Sequence, residues 1–219
     1  MSFATFFSDA CTDTAFTALP THNAAWAQDP GQGTWRISSN GTSAGCTVTS
    51  SARCYLAVAP GPLQAMQFAI LGSSLAHEEG ILSRFTEDNF NGFWGGIGYV
   101  SFLEAGDQLL THRLDGGGSH TQIASGTYAP VSGDIFRNEW PTLTSLRVMV
   151  DGVENYNVTD ATYATGSVGL FGGVSIDDSA LMSIDDILVE QDLGIVPSFR
   201  VGPRRRGRHP AVSSPGGYF

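Results

Sequence analysis

Apolar and polar residues alternate along several stretches of this chain. In Ser145-Leu146-Arg147-Val148-Met149-Val150, the residues Leu146, Val148 and Val150 share one parity and Arg147 takes the other. A period of two puts the two sets on opposite faces of a strand. Asp151-Gly152 follows at once, and the alternation resumes over 153–158. An Asp-Gly pair tolerates the positive φ angles of a type I′ turn, so 145–158 predicts a β-hairpin. Runs rich in β-branched and aromatic residues, bounded by Gly, Asn, Asp, Ser and Pro, predict further strands. They fall at 34–38, 46–49, 53–58, 64–71, 80–85, 93–103, 108–113, 121–125, 167–171 and 182–190. No segment of 12 residues keeps a clean 3.6-residue period. About a dozen strands without a helix predict an all-β fold, a two-sheet antiparallel jelly-roll sandwich.

The less regular stretches refine this picture. The pattern of 183–190 shifts at Asp185-Asp186, which predicts a β-bulge or a sheet edge. Phe3, Phe6 and Phe7 suggest an added edge strand, and 17–26 reads as an extended crossover. Beyond residue 192 the character changes. Pro197, Pro203, Pro210 and Pro215, with interspersed glycines, forbid a helix and spoil a central strand. The expected organisation is therefore a sandwich over 1–192 and an extended C-terminal arm over 193–219. The arm alone in water should be disordered, ordering only on a partner.

Charge sharpens the division. The chain has no lysine, and its 21 acidic residues all lie at or before Asp192. Six arginines in the body against those 21 acids leave it at a net −15, while the arm carries five arginines and no acid. An acidic body repels nucleic acid, so that partner is not expected. The arm is suited to an acidic protein surface. Arg200, Arg204, Arg205, Arg206 and Arg208 would pair with carboxylates, and Phe199, Tyr218 and Phe219 would serve as apolar anchors. No run of 18 apolar residues exists, so no transmembrane helix is expected. The first residues lack a basic, then apolar, leader, which predicts synthesis in a cytoplasm without a secretion signal. The three cysteines, Cys11, Cys46 and Cys54, match neither a closed disulfide framework nor a zinc site. Cys46 and Cys54 lie symmetrically about Ser50 and would face each other if 43–57 formed a hairpin; otherwise they are small buried thiols.

Catalytic patterns are missing. A retaining glycanase needs two carboxylates about 5–5.5 Å apart, on one face of a strand. Glu78-Glu79 and Glu87-Asp88 are adjacent pairs that point to opposite faces, and the residues between Asp186 and Glu190 are aliphatic. No Gly-x-Ser-x-Gly elbow accompanies His22, His77, His112, His120 and His209. No enzyme activity is expected. Calcium would need clustered carboxylates: Asp160, Asp177-Asp178 and Asp185-Asp186 would have to meet at one end of the sandwich, and their spacing fits no EF-hand. Otherwise no cofactor is expected. Phe90, Phe93, Trp94 and Tyr99, set among glycines, offer a stacking platform for a sugar at Trp94 and Tyr99, or simply a core stripe.

The segments Leu146–Gly152, Val158-Thr159-Asp160, Thr165-Gly166-Ser167-Val168-Gly169-Leu170-Phe171 and Ser183-Ile184-Asp185-Asp186-Ile187 together resemble the C-terminal half of concanavalin A-like (laminin G-like) jelly rolls. Leu19-Pro20-Thr21-His22 followed by Trp26 is similar to the opening of such domains in phage virion proteins, although no proline follows the histidine here. The resemblance covers about residues 5–191. It implies a non-enzymatic virion structural protein, made in a host cytoplasm. Such a protein would be a capsid decoration or cement protein, or a fibre or tail component, held by its arm to a major capsid protein or to sister subunits in a homo-oligomer. The same fold serves lectins, so a carbohydrate-binding module or adhesin for host-surface glycans is the alternative.

Overall fold

The structure, a computed structural model, describes residues 3–28, 33–39, 41–47, 52–71, 79–88, 92, 94–104, 106–172 and 184–192. In chain order the elements are β1 (Phe3–Asp9), α1 (Leu19–His22), β2 (Trp26–Gln28), β3 (Thr34–Ile37), β4 (Ala44–Thr47), β5 (Ala52–Leu56), β6 (Gln64–Ile70) and β7 (Glu79–Thr86). They continue with β8 (Ile97–Glu104), β9 (Gln108–Gly116), β10 (Ser119–Thr127), β11 (Ile135–Glu139), β12 (Ser145–Val150), β13 (Val153–Thr159), β14 (Ser167–Gly172) and β15 (Ile184–Asp192). The four residues of α1 are the only helix among the described residues.

The strands form two antiparallel sheets. The first runs β13-β12-β11-β6-β15-β4-β3, with β1 also paired to β15; the second runs β10-β9-β8-β7-β14-β5-β2. Consecutive strands repeatedly cross between them, which makes the expected jelly-roll sandwich. Trp35, Phe68 and Phe136 of the first sheet meet Tyr99, Leu109 and Leu170 of the second in the shared core. Asp151 and Gly152 take φ of 50° and 75°, and Val150 stands opposite Val153, as the hairpin requires. The register of β15 against β6 slips between Asp185 and Leu188, with Asp186 at φ 48°. This is the expected bulge, but in the sheet interior and not at an edge, because β15 is flanked by β6, β4 and β1.

Two expectations are corrected, the extended crossover and the missing strand at 135–139, and two pairings that the sequence left open are not formed. Cys46 on β4 and Cys54 on β5 lie in different sheets, so no hairpin joins them, and both are buried. The crossover at 17–26 is not extended throughout: Pro20 sits in the first turn of α1, where its missing N–H costs nothing. β11 was invisible to the pattern because Phe136 is its one fully buried apolar residue, beside Arg137, Asn138 and Glu139. Asp160 and Asp185 stand at opposite ends of the first sheet. Asp160 adjoins the start of β12, and Asp185 pairs with Ala69 near the end of β6. The arm, with Phe199, Arg200, Arg204, Arg205, Arg206, Arg208, Tyr218 and Phe219, lies outside the described residues, as do Phe90, Phe93, Asp177 and Asp178.

Candidate functional site

The two sheets differ on their outward faces. On the first, Arg137 bridges Glu190 at 2.6 Å, Glu139 at 3.2 Å and Gln67 at 2.8 Å, and Arg147 bonds Glu139 and Glu154. This is a lattice of ion pairs, partly buried around Arg137 and exposed at Arg147 and Glu154. On the second, the outward residues form a separate apolar cluster: Leu82, Val100, Phe102, Leu110, Leu114 and Phe171 are all buried. Strand register sets them in rows. Leu110, Phe102, Gly80 and Phe171 are successive cross-strand partners, as are Gln122, His112, Val100 and Leu82.

The connection from β7 to β8 meets this face at Asp88, Gly92, Trp94 and Gly96. Asp88 anchors it, accepting 2.7 Å hydrogen bonds from the Gly96 and Gly117 N–H groups. Arg53 on β5 donates to the Gly92 carbonyl at 2.8 Å. Gly96 has φ of 92°, and a Cβ there would collide with the Phe85 ring, so the close seating demands glycine. Between these anchors Trp94 lays its indole, half-buried, parallel to two imidazoles. His112 of β9 is 4.7 Å away and His120 of β10 is 4.1 Å away, centroid to centroid. The imidazoles are 5.3 Å apart, too close for an indole to lie between them. One indole face therefore covers both. Neither ring nitrogen of His112 has a hydrogen-bond partner. Burial, helped by His120, pushes its pKa down to about 4. Along the edge strand β10, His120, Gln122 and Ser125 are exposed.

Tyr99 occupies a different place. It is fully buried in the inter-sheet core, so it offers no surface to a sugar. Its hydroxyl donates to Asp160 at 2.8 Å and accepts from the Tyr163 N–H, and burial first of all raises its pKa to about 12. Asp160 also accepts from Arg113 at 3.2 Å and from the Thr162 N–H at 2.7 Å. A carboxylate so engaged by an arginine is a poor cation ligand, and no group of three metal-binding side chains occurs among the described residues. Nearby, the fully buried Arg84 donates to the carbonyls of Pro62, Thr142, Leu143 and Tyr163 at 2.8–3.2 Å, and stacks 3.6 Å above Trp140. It ties three loops to β7 without a carboxylate partner, and burial lowers its pKa to about 10.

The Leu19–His22 and Trp26 motif proves to be a staple. His22 Nε2 bonds Asp9 at 2.8 Å and Nδ1 bonds Asp13 at 3.0 Å; Trp26 Nε1 donates to Asp9 at 2.9 Å. Together these contacts fasten the end of β1 to α1 and β2. Burial opposes charge on His22, but the two carboxylates outweigh it and hold its pKa up. Among the paired acids weighed for catalysis, Glu190 is spent on Arg137 and Asp88 on backbone N–H groups. Glu79 is buried with its Oε2 unpartnered, which raises its pKa to about 8. The Trp94–His112–His120 stack was beyond sequence reasoning, since the three residues sit 8 to 26 positions apart on separate elements.

No family model and no curated protein matches the sequence. Among solved structures the chain is similar to carbohydrate binding module CBM66 from Bacillus subtilis, at 13% identity and a TM-score of 0.57, over 83% of this chain and 99% of that one. It is similar also to a Bacillus subtilis protein of unknown function with a galectin-like fold, at 10% identity and 0.60, over 87% and 98%. The VIP36 exoplasmic/lumenal domain in its Ca2+/Man3GlcNAc-bound form matches at 12% and 0.58, over 88% and 91%. At such identities the likeness establishes the fold alone: a galectin-like jelly-roll sandwich.

Proposed function

We propose that this chain is a non-catalytic glycan-binding module. The supporting observation is the indole of Trp94, held flat and half-buried beside the exposed His120, Gln122 and Ser125 of an edge strand. The C–H face of a pyranose packs on an aromatic surface, and hydroxyls need nearby polar side chains to bond, so an apolar plate with a polar border suits a sugar. CBM66, the Emp46p carbohydrate recognition domain and VIP36, whose names speak of carbohydrate, share the fold. The acidic body favours neutral glycans over anionic ones. The test is a glycan array followed by calorimetry. Gln122→Ala, at an exposed position, should weaken binding about tenfold, or about 1.4 kcal/mol, with unfolding unchanged. A wild-type protein that binds no glycan would overturn the reading.

A second reading, a virion structural protein, is favoured by the charge division between an acidic body and a five-arginine arm. Its partners would be a major capsid protein or sister subunits. Deleting 193–219 should then abolish co-sedimentation with particles while leaving the sandwich folded, and retained decoration would remove it.

A further inference from the structure

We propose that the His112–His120 pair beneath Trp94 is an acid-operated latch, which keeps the Trp94 indole closed on the second sheet at neutral pH and releases it when His112 is protonated. The geometry carries this. His112 is only 7% exposed, neither of its nitrogens has a hydrogen-bond partner, and its ring is stacked under the indole beside the second imidazole. A neutral imidazole tolerates that site. An imidazolium does not, because two N–H groups and a full charge would be shut away from water with nothing to accept them.

The surroundings offer no relief. β8, β7 and β14 contribute Val100, Phe102, Leu82, Phe85 and Phe171 to this cluster, all apolar. The second imidazole, His120, would repel the new charge. The carboxylate of Asp88 is spent on the Gly96 and Gly117 N–H groups, and Arg53, reaching the Gly92 carbonyl, is itself a cation. Glu87 is the remaining ionisable group on the segment. The cheapest way to hydrate a protonated His112 is to swing Trp94 outward. Gly92, Gly95 and Gly96 flank it, while Asp88 holds the base of the segment in place. With the covered imidazole depressed to about 4 and an uncovered one near 6.5, lowering the pH from 7.5 to 5 shifts the opening equilibrium by about 30-fold.

The consequence for ligand, release of a glycan in acid, rests on the glycan reading; the latch itself does not. The experiment follows near-UV circular dichroism of the full chain from pH 7.5 to 4.5, with a Trp94→Phe titration subtracted to isolate the Trp94 signal. Far-UV dichroism runs in parallel to confirm the retained sandwich. A Trp94 transition with its midpoint between pH 4 and 6.5, absent in His112→Leu, is expected. Should that variant fail to fold, the imidazole resonances of wild-type His112 serve instead, and their titration should coincide with a shift of the Trp94 indole N–H. A Trp94 signal that stays flat overturns the latch and leaves the glycan reading intact. So does a transition that survives in His112→Leu, or a His112 that titrates without moving the indole. Loss of glycan binding at every pH alongside a clear Trp94 transition would remove the glycan reading and leave the latch.

Discussion

The two outward faces of this sandwich solve the same problem in opposite ways. On the first sheet the residues that alternate with the core reach water, and Arg137, Arg147, Glu139, Glu154 and Glu190 neutralise one another there. On the second, the corresponding residues are Phe102, Leu110, Val100 and Phe171, and they are buried beside Trp94 and its segment. A sheet with one wet face reads as alternation; a sheet covered on both faces reads as near-continuous apolar runs. Ser145–Val150 shows the first pattern and Ile97–Glu104 the second. The difference teaches that the second face is a small core in its own right, and that its stability should respond to packing and to pH more than to salt.

The sharpest way to break the contrast is to open that second core. Phe102→Ala should cost about 4 kcal/mol in denaturant unfolding, because the face is dry and the cavity has little freedom to collapse. A cost under about 1 kcal/mol would mean that the cluster is not packed as a core.

Acid should act next, and on the same face. His112 is depressed in the folded state, so the unfolded chain binds more protons between pH 4 and 6.5, and stability falls as the pH drops through that window, by about 3 kcal/mol. His22 has the opposite sign. Its folded pKa is raised, so its contribution is complete below about pH 6.5 and is lost as the pH rises through the raised value. Asp9 adds a loss at the acid end, since burial raises its pKa but the bonds from Trp26, His22 and the Cys11 N–H pull it below the ordinary value. Unfolding free energies measured from pH 4 to 8 should therefore recover their acid-side loss in His112→Leu and keep the alkaline decline, while His22→Gln should flatten the alkaline side alone.

The ionic face should prove the least sensitive. Arg137→Met leaves the carboxylates of Glu139 and Glu190 facing each other, half-buried, and should cost about 1–2 kcal/mol. Arg147 is 40% exposed, and Arg147→Ala should cost about 0.5 kcal/mol or less. Half-molar salt should shrink both effects and leave Phe102→Ala unchanged, with thermal unfolding as the readout.

Much of this molecule was determined by its sequence alone. The alternation of 145–150, the Asp151-Gly152 turn and the break at Asp185-Asp186 are local, since strand period, turn chemistry and bulge each depend on neighbours in the chain. Division into an acidic body and a basic arm is a matter of composition. Tertiary structure decided what depends on partners far along the chain. Cys46 and Cys54 were parted because β4 joins β3 and β15 while β5 joins β14 and β2. Asn138 and Arg137 became part of a central strand because β6 and β12 flank β11 on either side. Tyr99 and Trp94, five residues apart among glycines, were sent to opposite faces of the second sheet: the strand begins only at Ile97, and Trp94 belongs to the segment held by Asp88. No local signal could bring Trp94, His112 and His120 together. Their stack exists because β9 and β10 set two imidazoles side by side and the anchored segment, on its return, lays an indole over them.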